Sequence, residues 1–163
     1  MKQFSLKDLN IGQLNMKEAK DIVFSKETLR EIHGKNTKIS DWVNKKRIVE
    51  YDMEINNAPG PMKRFIVGNR INVYGIQNIK EDTDHNLYVE NKLKLNCVGS
   101  RFLKINPSFS LTKRGNDIFF NANVNISVWA PPPINHLAES FMIIQAEKDI
   151  LNYAQFILSR VQQ

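Results

Sequence analysis

Few side chains in this sequence have the type and spacing for acid–base chemistry. Glu50, Asp52 and Glu54 alternate along one apolar stretch, so on a β-strand they share one face. Two carboxylates can work as a general acid and base, but three along the outward face of a strand are typical of a solvated surface. Asn69 and Asn91 fall instead in the inward register of two other stretches. A buried amide needs a hydrogen-bond partner, so each either contacts a bound ligand or marks the end of the buried zone.

The signatures of the common nucleotide, metal and nucleophile sites are missing from the sequence. It contains no glycine-rich phosphate loop, no zinc motif of paired cysteines or histidines and no serine elbow. His33, His85 and His136 fall at a predicted helix end, in a polar turn and at a helix start, without the spacing of metal ligands. Cys97, the single cysteine, lies in a strand-like stretch and is interpreted as a packing residue. We therefore expect no catalytic residue, no metal and no cofactor.

The composition fits a globular protein of a reducing compartment. The chain has 163 residues, of which 42% are hydrophobic, and its single cysteine excludes an internal disulfide. No apolar run approaches the roughly 18 residues of a membrane span, and the N-terminus lacks the apolar core of a secretory signal. We expect one domain over residues 1–163, located in the cytoplasm.

The net charge of +6 is unevenly distributed along the chain. Residues 1–130 hold 21 basic and 14 acidic side chains, a balance of +7, whereas residues 131–163 hold 2 and 3, a balance of −1. Short basic clusters at residues 45–47, 63–64 and 113–114 lie next to predicted strand ends. Such clusters can contact anionic lipid headgroups or a phosphate backbone, and they can equally be ordinary solubility charge.

Two short helices are predicted within residues 16–33. Asn15 can cap the first helix, and Glu18 three residues later completes a capping box. Ser25 can cap the second helix. The first 15 residues are ambiguous and could begin a strand.

Alternating apolar and polar residues then predict an antiparallel meander. Pro107 cannot donate to a strand ladder, so we expect the strand that contains it to be broken or bulged there. Residues 113–116 are predicted to form a hairpin turn before the last strand, which alternates cleanly between apolar and polar residues. The strands are expected over residues 47–55, 63–74, 87–98, 101–111 and 117–129.

The chain ends in a long helix, predicted over residues 135–161 with Asn135 as its cap. About 25 residues of helix span roughly 37 Å, which is enough to cross a whole sheet. The predicted fold is therefore α+β, a curved antiparallel sheet of five or more strands wrapped around the C-terminal helix. An apolar stripe of this helix either packs on the sheet or leaves part of that space to a ligand. It comprises Leu137, Phe141, Ile144, Leu151 and Leu158, and it is widened by Ile143, Ile150, Ala154, Ile157 and Val161.

Several short motifs, taken in this order, resemble a known family. They are an early helical stretch, a short stretch ending in tryptophan, the start of the first long strand and a Gly-Pro turn, at residues 23–29, 39–42, 46–51 and 60–61. With the order helix, meander, helix, they resemble the START-like (helix-grip) superfamily, and within it most the VASt sterol-transfer domain, over roughly residues 20–160. The sequence departs from that family at residues 129–133, where the family more often has a lysine-containing stretch before its helix.

The resemblance implies a non-enzymatic carrier that binds and transfers a sterol or other lipid in a cavity between the sheet and the C-terminal helix. The residues expected to contact this ligand face inward on the strands or the helix: Tyr51, Phe65, Val67, Asn69, Asn91, Leu93, Phe109, Phe120, Val124, Phe141 and Ile144. A loop around the Gly-Pro turn would act as a lid. This loop would contact anionic membranes peripherally through Pro59, Gly60, Pro61, Lys63 and Arg64.

Three other functions stay open at this point. With a collapsed cavity, the domain would serve as a protein-binding scaffold. A cyclase- or dehydratase-like enzyme on the same fold would need an inward acid or base, and only the asparagines and Arg70 are polar there. Nucleic-acid binding would need aromatic residues interleaved with basic ones. Phe102 beside Arg101 and Lys104 is a weak instance, and we do not expect this function.

Overall fold

A computed structural model describes residues 1–55, 58, 60, 70–97 and 100–162. In these residues one strand precedes two short helices, six further strands follow, and a long helix ends the fold. The elements are β1 (Lys2–Gln13), α1 (Met16–Phe24), α2 (Lys26–His33), β2 (Lys38–Ile39), β3 (Lys46–Glu54), β4 (Arg70–Asp82), β5 (Asn86–Asn96), a 3₁₀ turn (Ser100–Phe102), β6 (Leu103–Arg114), β7 (Asp117–Val128) and α3 (Ile134–Val161).

The seven strands form one antiparallel sheet in the order β1-β7-β6-β5-β4-β3-β2. Strands β3 to β7 make the predicted meander, and the short strand β2, which the sequence did not predict, pairs with β3. The ambiguous N-terminal stretch is β1, which pairs with β7 from Lys2 opposite Ile126 to Gln13 opposite Asp117. With α3 packed against the inner face of this sheet, the protein has a helix-grip-like α+β fold, as the sequence predicted.

The inner face of the sheet carries the apolar core, because side chains alternate between the two faces along each strand. β7 follows the predicted alternation, and its inward residues Ile118, Phe120, Ala122, Val124 and Ile126 are all buried. This strand has neighbours on both sides, β1 and β6. A slip of one residue would turn its whole apolar set outward, so its alternation fixes the register of both pairings.

Strand β6 runs unbroken through Pro107, so the expected break or bulge is wrong. Its pairing with β7 shows no register shift. Its pairing with β5 resumes in the same register on either side of the proline, with Ser108 opposite Glu90 and Ile105 opposite Leu93. The missing N–H of Pro107 therefore removes ladder bonding toward β5 without displacing the strand.

Helix α3 begins at Ile134 and packs mainly on β1 and β7. The expectation that Asn135 caps it is wrong: the cap position is Pro133, and no side chain caps the helix there. The carboxylate of Glu139 instead accepts a hydrogen bond from the backbone N–H of Val128 at 3.1 Å. This bond ties the start of the helix to the end of β7.

The buried face of α3 coincides with only part of the predicted apolar stripe. Leu137, Ile144 and Leu151 are 41%, 66% and 41% exposed, so the expectation that they face the sheet is wrong. This helix is apolar around much of its circumference, and such a sequence does not define a single face. Packing against the curved sheet buries Ile150, Ala154 and Ile157, which widen the predicted stripe, and with them Tyr153.

The junction between α1 and α2 is held by the side-chain caps that the sequence predicted. Asn15 and Glu18 form a reciprocal capping box. The hydroxyl of Ser25 accepts a hydrogen bond from the N–H of Thr28 at 3.1 Å. The buried hydroxyl of Thr28 donates to the carbonyl of Ile22 at 2.6 Å. These bonds position α2 beside β3, where it forms one wall of a cavity.

Removing the cap of α2 should destabilise the fold measurably. We expect Ser25→Ala to lower the free energy of unfolding by about 1 kcal/mol, because the N–H of Thr28 loses its acceptor. The matched control is Ser159→Ala near the end of α3, where the exposed hydroxyl donates to the carbonyl of Phe156. This control should change the free energy by less than about 0.5 kcal/mol. Urea unfolding measures both values, and equal losses would mean that the Ser25 cap has no special role.

Candidate ligand-binding cavity

A cavity of about 850 Å³ lies between the inner face of the sheet and helices α2 and α3. Its volume is in the range of small-molecule binding sites. The cavity exists because α3 packs mainly on β1 and β7 and leaves much of the inner face of β3 to β6 uncovered by that helix. Its walls are mostly apolar and include Leu29, Val49, Val73, Leu93, Val124 and Phe141.

Aromatic rings form the wall beneath α3. The ring of Phe109 packs edge-on against Tyr153, with 5.6 Å between centroids, and against Phe24, with 6.4 Å. Phe120 stacks on Phe109 at 6.1 Å. The buried hydroxyl of Tyr153 donates a hydrogen bond to the carbonyl of Val23. Contacts within the protein therefore hold this wall in place without a ligand.

The cavity gathers many of the residues that the sequence predicted to contact a ligand, namely Tyr51, Asn91, Leu93, Phe109, Val124 and Phe141. Phe120 is fully buried behind this lining, against Phe109 and Tyr153, so a ligand in the cavity would not reach it. The prediction for Ile144 is wrong, because this residue lies on the outer face of α3. Phe65, Val67 and Asn69 lie outside the described residues.

The predicted membrane-contact loop is described only in part. Pro59, Pro61, Lys63 and Arg64 lie outside the described residues. Gly60 is exposed, and a side chain added there would meet no described atom within 4 Å. This position is therefore open to solvent.

An exposed aromatic residue lies at the end of the sheet where β3 stops and β4 starts. Trp129 directly follows β7, which ends on the same side because neighbouring strands are antiparallel, and it is 78% exposed. Its ring lies 5.5 Å from Phe102, and the guanidinium of Arg101 lies 4.7 Å from the centre of the Phe102 ring. Tryptophan beside a cation is typical of the membrane–water interface. None of the helices in the described ranges is both long and apolar enough to span a membrane.

A row of polar side chains closes one end of the cavity. Arg47 lies opposite Gln77, and Gln77 lies opposite Asn91, on the neighbouring strands β3, β4 and β5. The three residues are 3%, 6% and 6% exposed. Gln77 and Asn91 line the cavity, whereas the next inward residues of their strands, Ile79 and Val89, do not. The row therefore forms the closed end, away from the end that carries the exposed tryptophan.

Hydrogen bonding within this polar row is incomplete. The Nε of Arg47 donates to the Oε1 of Gln77 at 2.5 Å, and the guanidinium lies 4.3 Å from the centre of the Trp42 ring. The Nη2 of Arg47 and the Oδ1 of Asn91 are buried and have no hydrogen-bond partner among the residues that the structure describes. The sequence predicted only Asn91 as a site residue and assigned Arg47 to a basic surface cluster. Its alternation with the inward Val49 was the signal that Arg47 faces inward.

A second polar group lies on the α2 side of the cavity. The imidazole of His33 stacks on the ring of Tyr51, with 3.9 Å between centroids. Burial lowers the pKa of His33 to about 4, so the imidazole is neutral at pH 7. Burial also raises the pKa of Tyr51 and that of Asp149, which lies on α3. All three side chains line the cavity, and the sequence predicted a contact only for Tyr51.

The carboxylate stripe of β3 lies on the outer face of the sheet, as expected from its alternation. The side-chain amide of Asn72 donates to Glu50 and to Asp52, each at 3.3 Å. Within the described part of the chain, no three His, Cys, Asp or Glu side chains come together in a way that could hold a metal ion.

Comparison with known proteins finds similar folds. No family model matches the chain, and no curated protein matches it. The protein TTHA0849 from Thermus thermophilus is similar in structure, with a TM-score of 0.59 and 6% identity over 98% of this chain and 95% of that one. The Mll3558 protein of Rhizobium loti has a TM-score of 0.56 and 8% identity over 97% and 95%. An uncharacterised protein of Rhizobium leguminosarum has a TM-score of 0.52 and 9% identity over 98% and 95%.

The chain shares their fold. At identities this low, the likeness carries no information about ligand or activity. None of the three names a VASt or START family, so that resemblance stays a prediction from sequence motifs.

The stability of the fold should depend on His33 below neutral pH. The imidazole titrates near pH 6.5 when unperturbed and at about 4 in the folded protein, so between these values the unfolded state binds the proton more readily. The free energy of unfolding should therefore be highest above pH 6.5 and decrease as the pH falls toward 4. The decrease should reach up to about 3 kcal/mol.

The variant His33→Phe isolates this effect, because it can keep the stack on Tyr51 but cannot titrate. Urea unfolding of both proteins at several pH values between about 4 and 7 should give a shallower dependence for the variant. Asp149, whose pKa shift has the opposite sign, is present in both proteins and cancels in the comparison. Parallel curves for the two proteins would contradict the prediction.

Proposed function

We propose that the protein binds a hydrophobic ligand, a sterol or another lipid, in this cavity and carries it without changing it chemically. The observation that carries the proposal is the cavity of about 850 Å³ with its mostly apolar walls. Protein interiors have few voids larger than a water molecule, and empty apolar space destabilises a fold. A ligand that fills the space offsets this loss, and its burial contributes about 25 cal/mol per Å² of apolar area.

The motifs that resemble the VASt domain support a sterol as one candidate. Those within the described residues lie in α1 and α2, before β3 and at its start, and they include Leu29, Val49 and Tyr51 of the cavity lining. The fold shared with the structural neighbours does not choose between a sterol and an acyl chain.

A carrier exchanges its ligand at a membrane surface, and the end that carries Trp129 suits such a contact. Trp129 is exposed, and Arg101 adds positive charge beside it. Lys63 and Arg64, which the sequence predicts as membrane contacts, lie outside the described residues. We propose that this end contacts anionic membranes peripherally, through the aromatic ring and through attraction to the lipid headgroups.

The polar group on the α2 side of the cavity favours one second candidate, an enzyme of the cyclase or dehydratase kind. His33, Tyr51 and Asp149 face the same cavity, and the pKa of each is shifted by burial. Shifted pKa values in a cavity are common at catalytic sites. An enzyme would release a ligand of altered mass, whereas a carrier releases the ligand it took up. A protein-binding scaffold would need no open cavity and is therefore less favoured.

A variant that fills the cavity should abolish ligand binding. Ala146 lines the cavity from α3 and is half-buried, so we expect Ala146→Trp to occupy the space of the ligand. The matched control is Ile144→Trp on the outer face of the same helix. Native mass spectrometry after incubation with mixed-lipid liposomes measures ligand retention. The wild type and Ile144→Trp should carry a sterol or other lipid, and Ala146→Trp should lose at least about tenfold in affinity.

The outcomes of this experiment separate the candidate functions. Retention of an unchanged lipid by the wild type and by Ile144→Trp, but not by Ala146→Trp, supports a carrier. Equal retention by all three proteins would place the lipid outside the cavity and contradict the proposal. A retained molecule that returns chemically altered would favour the enzyme. An empty wild type across sterols and common phospholipids would rule out lipid carriage.

Removing the exposed tryptophan should weaken membrane contact without affecting the fold. We expect Trp129→Ser to reduce binding to vesicles that contain phosphatidylserine by about tenfold, because an interfacial aromatic anchor is lost. The control is Val43→Ser, which removes an exposed apolar side chain (67% exposed) at the opposite end of β3. Vesicle sedimentation measures both. Equal losses, or binding that is unaffected by the removal of phosphatidylserine, would contradict a contact through this end.

A further inference from the structure

The polar row at the closed end of the cavity indicates which lipids the protein takes. We infer that the ligand is an amphipathic carboxylic acid whose carboxylate lies against Gln77 and Asn91, next to the guanidinium of Arg47. The inference rests on the proposed function, because it names the polar end of the ligand that the cavity would carry.

The buried charge of Arg47 favours an anionic ligand. Its side chain is 3% exposed, and in the described residues no carboxylate lies within ion-pair distance of it. The undescribed positions contain no Asp or Glu. The Trp42 ring and the amide oxygen of Gln77 are neutral groups that compensate the charge only in part. A buried cation without an anion is costly, and a ligand carboxylate would supply the missing charge.

The side-chain amides of Gln77 and Asn91 can both direct donors at the ligand. A guanidinium can only donate, so its bond to the Oε1 of Gln77 fixes the orientation of that amide. The NH₂ group of Gln77 is left as a donor in a side chain that lines the cavity. Asn91 lies directly opposite on β5, and none of the described residues forms a hydrogen bond with its side-chain oxygen. Its amide can turn to present NH₂ instead. Both side chains can then donate to one carboxylate.

A neutral hydroxyl group fits this row less well. Its proton could satisfy the oxygen of Asn91, and its oxygen could accept from Gln77. The charge of Arg47 would still be without a counter-charge. Hydrogen bonds to an ionised group are roughly twice as strong as bonds between neutral groups. The charge therefore decides in favour of an acid over an alcohol.

The polar row lies at one end of the cavity, which suits a ligand with a single polar end. The lining continues from Gln77 and Asn91 to Gly75, Leu93 and Val73, toward the end that carries Trp129. It does not continue in the other direction. A ligand held at the row by its polar group would thus extend an apolar body along the cavity toward the proposed membrane contact. A molecule with one acidic end and one apolar end matches this arrangement.

The test compares ligands that differ only in the polar group: hexadecanoic acid, hexadecanol and methyl hexadecanoate. Competition for a bound fluorescent lipid at about pH 8, where the free acid is ionised, measures the three affinities. We expect the wild type to bind the acid at least about tenfold more tightly than the alcohol or the ester. Cholesterol is included as the neutral sterol.

Variants of the row test whether it causes the preference. Gln77→Leu and Asn91→Leu keep similar volumes and should reduce the preference for the acid to about threefold or less, because the acid loses charge-assisted hydrogen bonds and the alcohol loses only weaker neutral ones. The control is Asn78→Leu, the next residue of β4, which points to the outer face and should keep the wild-type preference. Arg47→Lys keeps the charge but loses the fork of donors, and it should retain part of the preference.

A spectroscopic measurement reports the environment of the carboxylate directly. The carbon-13 signal of carboxyl-labelled hexadecanoic acid, followed with pH, should show a lower pKa in the wild type than in Gln77→Leu, because the polar row favours the ionised form. Equal affinities for acid and alcohol, or tighter binding of cholesterol, would overturn the inference and leave lipid carriage intact. A wild type that binds none of the four would overturn both.

Discussion

One helix cannot cover the inner face of a curved seven-stranded sheet, and the rest of the structure depends on that constraint. α3 packs on β1 and β7, where Glu139 ties its start to the end of β7. The inner face of β3 to β6 needs another cover, and α2 supplies it from the side of β3. Because α2 is only 8 residues long, space remains between the three walls. The cavity is thus a consequence of how the helices divide the sheet between them.

Small inward side chains keep this space open. Gly75 faces inward on β4, and a Cβ added there would lie 3.0 Å from the Cδ2 of Leu93. Val49 and Val73 are the neighbouring inward residues. Larger side chains at these positions would fill the cavity. The aromatic residues that could do so, Phe109 and Tyr153, are held by one another beneath α3.

The polar row is the part of the interior that packing alone does not explain. An apolar residue in place of Arg47 would complete the core at no electrostatic cost, and replacing buried charges in this way is often stabilising. Within the described part of the chain, the Nη2 of Arg47 and the side-chain oxygen of Asn91 have no hydrogen-bond partner, and Arg47 contacts the cavity lining through Gln77. Departures of this kind from the rules of stable packing concentrate at functional sites, which links the geometry of the row to the ligand that we propose.

The sequence by itself determined the local elements. The alternation in β7 and the caps at Asn15 and Ser25 depend on neighbouring residues, and a pattern of one or two turns or strands contains that information. The Gly115–Asn116 hairpin is local in the same sense. These elements define an α+β fold with a terminal helix. The alternation of the strands is enough to place Tyr51, Asn91 and Phe109 on inward faces.

Only the tertiary structure decided which faces meet. β1 has a weak pattern of its own and becomes a strand by pairing with β7, more than 100 residues away. The phase of α3 was set by the sheet, so Ile144 turned outward although its spacing fits an apolar stripe. Pro107 stayed within a continuous strand because β7 pairs with the other edge of β6. Arg47, Gln77 and Asn91 are far apart in sequence and meet only through strand register. Register and helix phase arise from contacts between distant residues, and no short pattern can specify them.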